Sequence, residues 1–388
     1  MFARWGRGAD VKTRTVSFKN STAAQRELKR LISQVESLGY RPQRSHRAST
    51  VDKLIAALVA DPEDDSPLEV YGDELLTVGD VRGELAALVR GGRQTQALKL
   101  VRERGADLFG AALRDVEARH VTDLEWAPGF LRRATLHEGP GRGDAMERVA
   151  RALLASKAGE LVRGLHLDVA RGGWAPALKA LTHSGHPELL VDLKFCPCDW
   201  GKVELENVDS GDFGEQWAGL PQLRTLHLVA SAGSLGVLEL PQLRELSRRG
   251  GGFCQADVRS LKAAKLPRLE RLELGFQVDS RVAVDDVLLA TFKLGAPLQH
   301  LALRQLRLSK KALEALLASP LLARLKTLDL SDALVGEAQA QVLLDARDSL
   351  EHLEQLAPPW LPDDEGNREE QLQTELPNQQ DYVDVWAD

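Results

Sequence analysis

The sequence predicts an α/β protein made of stacked repeats, with parallel strands on a concave side and helices on a convex side. One observation behind this prediction is a motif of the form Leu-x-x-Leu-x-Leu, which recurs through the C-terminal half of the 388-residue chain. Another is that helix-like segments follow several of these motifs, at 258–264, 311–318 and 337–346. Because one strand and one helix cannot bury an apolar face alone, stacked copies must share a continuous core.

The spacing of the motif indicates the type of repeat. Five copies have clear central leucines, which are Leu226, Leu246, Leu272, Leu301 and Leu328. Steps of about 20–29 residues between such leucines are typical of leucine-rich repeats. Weaker copies of the motif occur at 161–167, 190–195 and 350–356. We therefore expect a leucine-rich-repeat solenoid over residues 121–360.

Polar side chains that alternate with the strand leucines are expected on the concave face, the surface through which such proteins contact partners. The candidate partner-binding residues are Thr225, His227, Arg244, Glu245, Arg271, Glu273, His300, Arg304, Thr327, Asp329 and His352. This set is mixed in charge and has no aromatic cluster, so it does not suit a phosphate backbone. The alternative interpretation is that about half of the set are only solvated strand residues.

Residues 1–47 predict a strand, a turn, a second strand and then a helix from about Thr22 to Leu38. This segment resembles the second half of a WGR domain. The resemblance rests on Trp5-Gly6-Arg7, on the Lys-Thr-x-Thr-x-x-Phe stretch at 12–18, and on Gly39-Tyr40.

In the poly-ADP-ribose polymerases that carry it, a WGR domain contacts nucleic acid through a tryptophan and basic residues. The resemblance implies the same role for Trp5, Arg7, Lys12 and Arg14. An aromatic face beside cations also suits stacking on a nucleic-acid end. The segment departs from the family because only Met1–Arg4 precede Trp5, so half of the family's sheet is missing. The alternative is that Trp5 anchors this segment to a core.

Residues 48–120 predict a small helical domain. Two short helices are separated by the run Asp-Pro-Glu-Asp-Asp at 61–65, and a longer helix is expected over about 95–116. The segment resembles the repeat-companion domain that precedes leucine-rich repeats in many bacterial proteins, through Asp61-Pro62, Asp65, Tyr71, Asp73, Leu75, Gly79-Asp80 and Arg82-Gly83-Glu84. The resemblance implies no activity. We expect Asp65 and Asp80 to cap helices rather than to bind a metal.

Charge is distributed unevenly, although the net charge is only −7. Residues 1–47 hold eleven Lys and Arg against three acids, and residues 363–388 hold nine acids against one Arg. Residues 361–388 predict an acidic disordered tail, because their few apolar residues cannot offset the entropy of ordering. Tyr382 and Trp386 are candidate anchors through which the tail would dock on a partner or on the basic head. The alternative is a tail that is only solvated.

Several kinds of site are not supported by the sequence. His183, His186, Cys196 and Cys198 are zinc-type residues, but a predicted strand of about 20 Å separates the histidines from the cysteines. The glycine-rich run 139–143 lacks the Lys-Ser/Thr of a phosphate loop, and no known nucleophile signature occurs. We therefore expect no metal, no cofactor and no enzymatic activity.

The composition also indicates the cellular compartment of the protein. No run of about 18 apolar residues is available to span a membrane, and the N-terminus lacks the apolar segment of a signal peptide. The 3 cysteines are too few and too unevenly placed for a disulfide framework. We expect a cytoplasmic protein.

The expected function is that of a scaffold or adaptor, which binds another protein on the concave face of the repeats. The alternative is a nucleic-acid-associated factor that acts through its basic head. The two differ in salt dependence, because counterion release makes nucleic-acid binding weaken steeply as salt rises.

Overall fold

The computed structural model describes residues 2–5, 12–15, 46–114, 121–137, 145–168, 174–196, 209–230, 232–250, 253–276, 283–361, 372 and 374–379. The chain divides into two compact units, Met1–Lys53 and Leu54–Asp388. None of the helices within these described ranges combines the length and the apolar composition needed to cross a bilayer.

The first unit contains an antiparallel hairpin of β1 (Phe2–Trp5) and β2 (Lys12–Thr15). Trp5 pairs with Lys12, and Phe2 pairs with Thr15. A strand, a turn and a second strand were expected here from the sequence. The helix predicted over 22–38 lies outside the described residues, and the WGR resemblance stays a prediction.

Four helices follow along the chain: α1 (His46–Ala60), α2 (Ser66–Thr77), α3 (Val81–Arg90) and α4 (Gln94–Arg114). Asp80 is the N-cap of α3, and its carboxylate accepts a hydrogen bond from the backbone N–H of Arg82 at 3.1 Å, which confirms the expected cap. Helices α2 and α3 pack closely at Gly83, where an added Cβ would lie 2.1 Å from the backbone nitrogen of Leu76.

Ten of the described strands form one sheet. In spatial order they are β16 (Gln355–Ala357), β14 (Thr327–Asp329), β12 (His300–Arg304), β11 (Arg271–Gly275), β10 (Glu245–Arg249), β8 (Thr225–Val229), β6 (Asp192–Phe195), β5 (Gly164–Asp168), β4 (Phe130–His137) and β3 (Val121–Ala127). All neighbouring pairs are parallel except β3 and β4, which are antiparallel. Two further two-stranded sheets pair β7 (Asp209–Asp212) with β9 (Ala232–Ser234), and β13 (Leu306–Arg307) with β15 (Ala333–Leu334).

The core lies on one face of the ten-stranded sheet. Seven neighbouring strands of this sheet, from β6 to β16, each present a central leucine in register with the next: Leu193, Leu226, Leu246, Leu272, Leu301, Leu328 and Leu356. All are at most 1% exposed. Helices between the strands bury leucines in the same core: α5 (Ala145–Leu154), α6 (Trp174–His183), α7 (Gln255–Ala263), α8 (Val284–Thr291), α9 (Lys310–Leu317), α10 (Glu337–Asp345) and α11 (Arg347–Leu350). The chain is therefore a mixed α/β protein dominated by a large, mostly parallel sheet.

One arginine occupies a position of the leucine core. Arg248 on β10 is in register with Leu228 and Leu274, and only 2% of it is exposed. Its guanidinium donates to the carbonyl of Ala230 and lies 5.3 Å from the ring centroid of Phe253. Burial lowers the pKa of Arg248 to about 10. The regular leucine pattern does not predict an arginine at this core position.

The helical region docks on the start of the sheet through arginines. Asp65 was expected to cap a helix, but it makes no side-chain cap hydrogen bond at the start of α2. Its two carboxylate oxygens instead accept from Arg132 and Arg163, each at 2.6 Å. Tyr71 stacks on Phe130 with ring centroids 5.9 Å apart. Several residues of the repeat-companion resemblance therefore hold the helices against the first strands.

The other end of the sheet is also covered. Within the predicted acidic disordered tail, Leu372 and Leu376 are 0% and 5% exposed. Gln379 forms a parallel bridge with Leu356 of β16, and the Asn378 side chain donates to the carbonyl of Leu353 at 2.6 Å. The described part of this segment is thus packed rather than disordered, because its two leucines reach the core at the edge strand.

We predict that Leu272→Ala and Leu301→Ala each lower the free energy of unfolding by about 2–5 kcal/mol, because each leaves a cavity in the core. Both leucines are 1% exposed. The neighbouring Arg271 is the control, since 34% of its side chain is exposed. Urea denaturation measures the three variants; a loss for Arg271→Ala equal to that for Leu272→Ala would contradict the strand register.

Candidate partner-binding surface

The strand side chains that alternate with the core leucines form the opposite face of the sheet, here termed the polar face. In register, the first row is Arg133, Gly164, Asp192, Thr225, Glu245, Arg271, His300, Thr327 and Gln355. The second row is Thr135, His166, Lys194, His227, Ser247, Glu273, Ala302, Asp329 and Ala357. Parallel pairing brings side chains of one row to about 5 Å from each other.

The structure divides the predicted partner-binding residues into three groups. Six are half-buried strand residues of the polar face: Thr225, His227, Glu245, Arg271, His300 and Thr327. Three are buried: Glu273, Arg304 and Asp329. Arg244 and His352 are exposed but precede the strands β10 and β16, so they lie outside the two rows.

The three buried residues belong to one ion-pair network. Glu273 is 0% exposed, and it accepts from Ser247 at 2.7 Å while its other oxygen contacts Arg249 at 2.6 Å and Arg304 at 3.3 Å. Arg304 also contacts Asp329 at 2.8 Å. These opposite charges pair with one another, so this part of the polar face is closed by its own side chains.

The charges of the first row are less well paired on strands β4 to β6. Gly164 leaves room for Arg133, since an added Cβ at this glycine would lie 2.6 Å from Arg133 Cγ. Arg133 Nε thereby comes within 3.4 Å of Asp192 Oδ2. Asp192 Oδ1 is buried and has no hydrogen-bond partner in the described part of the chain. Burial raises the pKa of Asp192, and the charges of Lys194 and Arg133 only partly offset this effect.

Glu245 is in a similar position two strands further along the first row. Burial raises the pKa of Glu245, and Arg271, whose Nε lies 3.7 Å away, offsets the effect only in part. The charge of Asp192 raises the pKa of Glu245 further. Two carboxylates that are costly to ionise therefore flank Thr225.

The second row is basic over the same strands. His166, Lys194 and His227 are directly in register on β5, β6 and β8, and we term them the basic row. Burial lowers the pKa of His166. It also lowers the pKa of His227 to about 3, with the charge of Lys194 as the next cause. Both imidazoles are therefore neutral at pH 7, and Lys194 carries the charge of the row.

A cavity of about 210 Å³ lies at strands β3 to β6. Its lining includes Arg133, Gly164 and Asp192 of the first row, Thr135, His166 and Lys194 of the second row, and Asp123 and Glu125 of β3. The cavity is smaller than the roughly 300–1,000 Å³ of typical small-molecule sites. Its size suits one side chain of a larger ligand.

A hydroxyl, an imidazole and a carboxylate lie in a chain at the same end of the sheet. Thr122 Oγ1 is 2.6 Å from His137 Nε2, and His137 Nδ1 is 2.6 Å from Asp168 Oδ2. This order is that of a nucleophile, a base and an orienting acid. The carboxylate of Asp123 also lies 3.2 Å from the Thr122 hydroxyl and competes for its proton.

Asp192, Lys194 and His166 were not among the predicted site residues. They lie in two of the three weaker copies of the motif, at 161–167 and 190–195. The sequence nevertheless carries a signal for them, since Asp192 and Lys194 alternate with Leu193 and Phe195, the period of a strand with one buried face.

The predicted nucleic-acid-binding residues are described only in part. Trp5, Lys12 and Arg14 lie in β1 and β2, and Arg14 pairs with Ala3. Arg7 and the predicted tail anchors, Tyr382 and Trp386, lie outside the described residues.

The sequence predicts that the zinc-type residues lie too far apart to share a metal. His183 Nδ1 lies 2.8 Å from the carbonyl of Lys179, and His186 Nδ1 lies 3.2 Å from Glu188. Cys198 is outside the described residues. Across the ranges that the structure describes, no three or more His, Cys, Asp or Glu residues are grouped to hold a metal ion.

Fold and surface together define a mixed α/β protein with a large, mostly parallel sheet and one polar face. A crystal structure of a Bacteroides fragilis protein, a target of the Northeast Structural Genomics Consortium, is similar to it with a TM-score of 0.50 and 21% sequence identity. The similarity covers 75% of this chain and 85% of that chain, and at this identity it bears on the fold alone. No protein-family model and no curated protein matches the chain.

We predict that Arg304→Met lowers the free energy of unfolding by about 3–5 kcal/mol, because it leaves Glu273 and Asp329 buried with less compensation. The matched control is Lys326→Met, since Lys326 and its partner Glu354 are both exposed and 3.8 Å apart. Urea denaturation of both variants tests this. Equal stability of the two variants would show that the network contributes nothing.

We predict that Asp192→Asn stabilises the protein at neutral pH. Because the pKa of Asp192 is raised by folding, its contribution to stability is present at acid pH and is lost as the pH rises through that raised pKa. The gain from asparagine should shrink as the pH falls and vanish below about 4.

The urea midpoint, measured from acid to neutral pH, checks this prediction. Asp107→Asn serves as the control, since 51% of the Asp107 side chain is exposed. An Asp192→Asn variant that is less stable than the wild type at neutral pH would refute the argument.

Proposed function

We propose that this chain is a leucine-rich-repeat scaffold, and that the polar face is the concave surface of a solenoid that binds another protein. The recurring leucines and the sequential order of the strands from β4 to β16 support the repeat assignment. The likeness in fold to the Bacteroides fragilis protein adds nothing about function.

One observation carries the proposal. Between β4 and β10, the polar face holds half-buried charges that the protein itself compensates poorly, of which Asp192 with its unpartnered Oδ1 is the clearest case. Charges that are buried without a partner destabilise the fold. The network around Glu273 is evidence that the same sheet can also bury charges that are paired with opposite charges. Charges left poorly compensated at one place are typical of a functional surface.

We further propose that the protein is not an enzyme. The chain from Thr122 through His137 to Asp168 joins β3, β4 and β5, and cross-strand hydrogen bonding accounts for it. The nearby Asp123 carboxylate would also oppose the negative charge that develops on an attacking hydroxyl.

A second candidate function is nucleic-acid binding by the basic head. It is favoured by the β1–β2 hairpin, which pairs the backbone of Trp5 with that of Lys12, as a stacking residue beside a cation would require. Its binding would weaken steeply with salt.

The test is affinity capture from a lysate of the source organism with four full-length proteins: wild type, Thr225→Arg, Lys311→Glu, and the double variant Lys12→Ala with Arg14→Ala. Thr225 lies at the centre of the polar face, whereas Lys311 is exposed on α9. We expect Thr225→Arg to lose a captured protein that Lys311→Glu and the double variant retain.

The competing outcomes are distinct. Loss of the captured material in the double variant alone, with steep salt sensitivity, would favour the nucleic-acid function. Retention of every captured protein by Thr225→Arg would exclude the polar face as the binding surface.

A further inference from the structure

We propose that the basic row binds a single carboxylate from an aspartate or glutamate side chain of an extended segment of the partner. This inference rests on the proposed function, because it names the chemistry of the partner at the polar face. The partner's side chain would enter the cavity beside Lys194 and His166.

Lys194 is half-buried, and its ammonium group has no carboxylate within salt-bridge distance in the part of the chain that the structure describes. Lys194 is in register between His166 and His227. Burial is the main cause of the lowered pKa values of these two histidines, and the charge of Lys194 lowers them further. A half-buried cation without a carboxylate partner favours an anion as its ligand.

Lys194 would supply the hydrogen bonds to an anion bound at the basic row. His166 Nε2 lies 2.8 Å from the carbonyl of Cys196 and must donate to it, because a carbonyl can only accept. This ring is thereby held in place beside Lys194. An anion placed between His166 and His227 would meet the Lys194 ammonium with its three donors.

Two neighbouring acids limit how much negative charge a ligand can bring to the basic row. Asp192 and Glu245 lie in the neighbouring row, and both have raised pKa values, so further negative charge is unfavourable there. A phosphate backbone would bring several charges against these acids, whereas one carboxylate would bring a single charge to Lys194. The cavity volume of about 210 Å³ also suits one side chain.

A cationic ligand fits the cavity less well. Asp192 is its most deeply placed acid, but Oδ1 is shielded from solvent and Oδ2 lies near Arg133. Glu125 also pairs with Arg133, at 3.2 Å. Asp123, the third acid of the lining, is exposed and accepts from the Thr122 hydroxyl at 3.2 Å. Each acid of the cavity therefore has a contact of its own, whereas Lys194 has no carboxylate within salt-bridge distance in the described part of the chain.

The experiment titrates the full-length protein with two capped peptides, acetyl-Gly-Glu-Gly-amide and acetyl-Gly-Gln-Gly-amide, which differ in one charge. The ring resonances of the 9 histidines are followed by NMR, with His166 and His227 assigned through their glutamine variants. We expect the glutamate peptide to shift the resonances of His166 and His227, and the glutamine peptide to leave them unchanged.

Lys194→Met removes the charge while keeping the length of the side chain. We expect it to weaken binding of the glutamate peptide by about tenfold or more, as the loss of a charge-assisted hydrogen bond predicts. Lys326→Met, at an exposed lysine near the far end of the sheet, is the matched control and should bind like the wild type.

Three results would overturn the inference: equal shifts with the glutamine peptide, unaltered binding by Lys194→Met, or tighter binding of inorganic phosphate than of the glutamate peptide at the same histidines. The capture experiment with Thr225→Arg separates this from the broader proposal. If Thr225→Arg loses the partner while no acidic peptide binds, the polar face remains the binding surface and only the carboxylate chemistry is wrong.

Discussion

The in-register stacking of leucines is the constraint on which the rest of the structure depends. Because Leu226, Leu246 and Leu272 align on neighbouring parallel strands, the residues between them must form rows on the opposite face. The strand spacing fixes neighbours in a row at about 5 Å. Every charge placed in a row therefore acts on the charges beside it, and the protein must either pair it within the sheet or leave it for a ligand.

The polar face uses both solutions at different places. Between β10 and β14, Glu273 and Arg304 are buried and pair with their neighbours. Between β4 and β8, Lys194 and Asp192 share strand β6 but stay outside salt-bridge distance of each other. Paired charges stabilise the fold more than unpaired ones do. The poorly paired charges of Lys194 and Asp192 are therefore best explained by a requirement other than folding stability.

The sequence predicted the parts of the fold that depend on local pattern. The leucine spacing predicted strands in parallel order, and Asp80 was recognised as a helix cap from its position alone. The rest depends on residues far apart in the chain. The local pattern predicts a helix cap at Asp65 and is wrong there, because the two arginines that bind its carboxylate follow 67 and 98 residues later. Likewise, the burial of Glu273 depends on Arg304, 31 residues away.

The segments at the starts of β4 and β5 that bind the helical region also form part of the cavity wall. Arg132 and Arg163 reach Asp65, while the residues that directly follow them, Arg133 and Gly164, line the cavity on the polar face. The backbone that carries the cavity wall is thus tied to the helices by two ion pairs. A surface fixed in this way would lose little conformational entropy on binding, which increases affinity without further contacts. In the proposed function, the helical region would therefore contribute to binding by fixing the cavity wall, although none of its described residues lines the cavity.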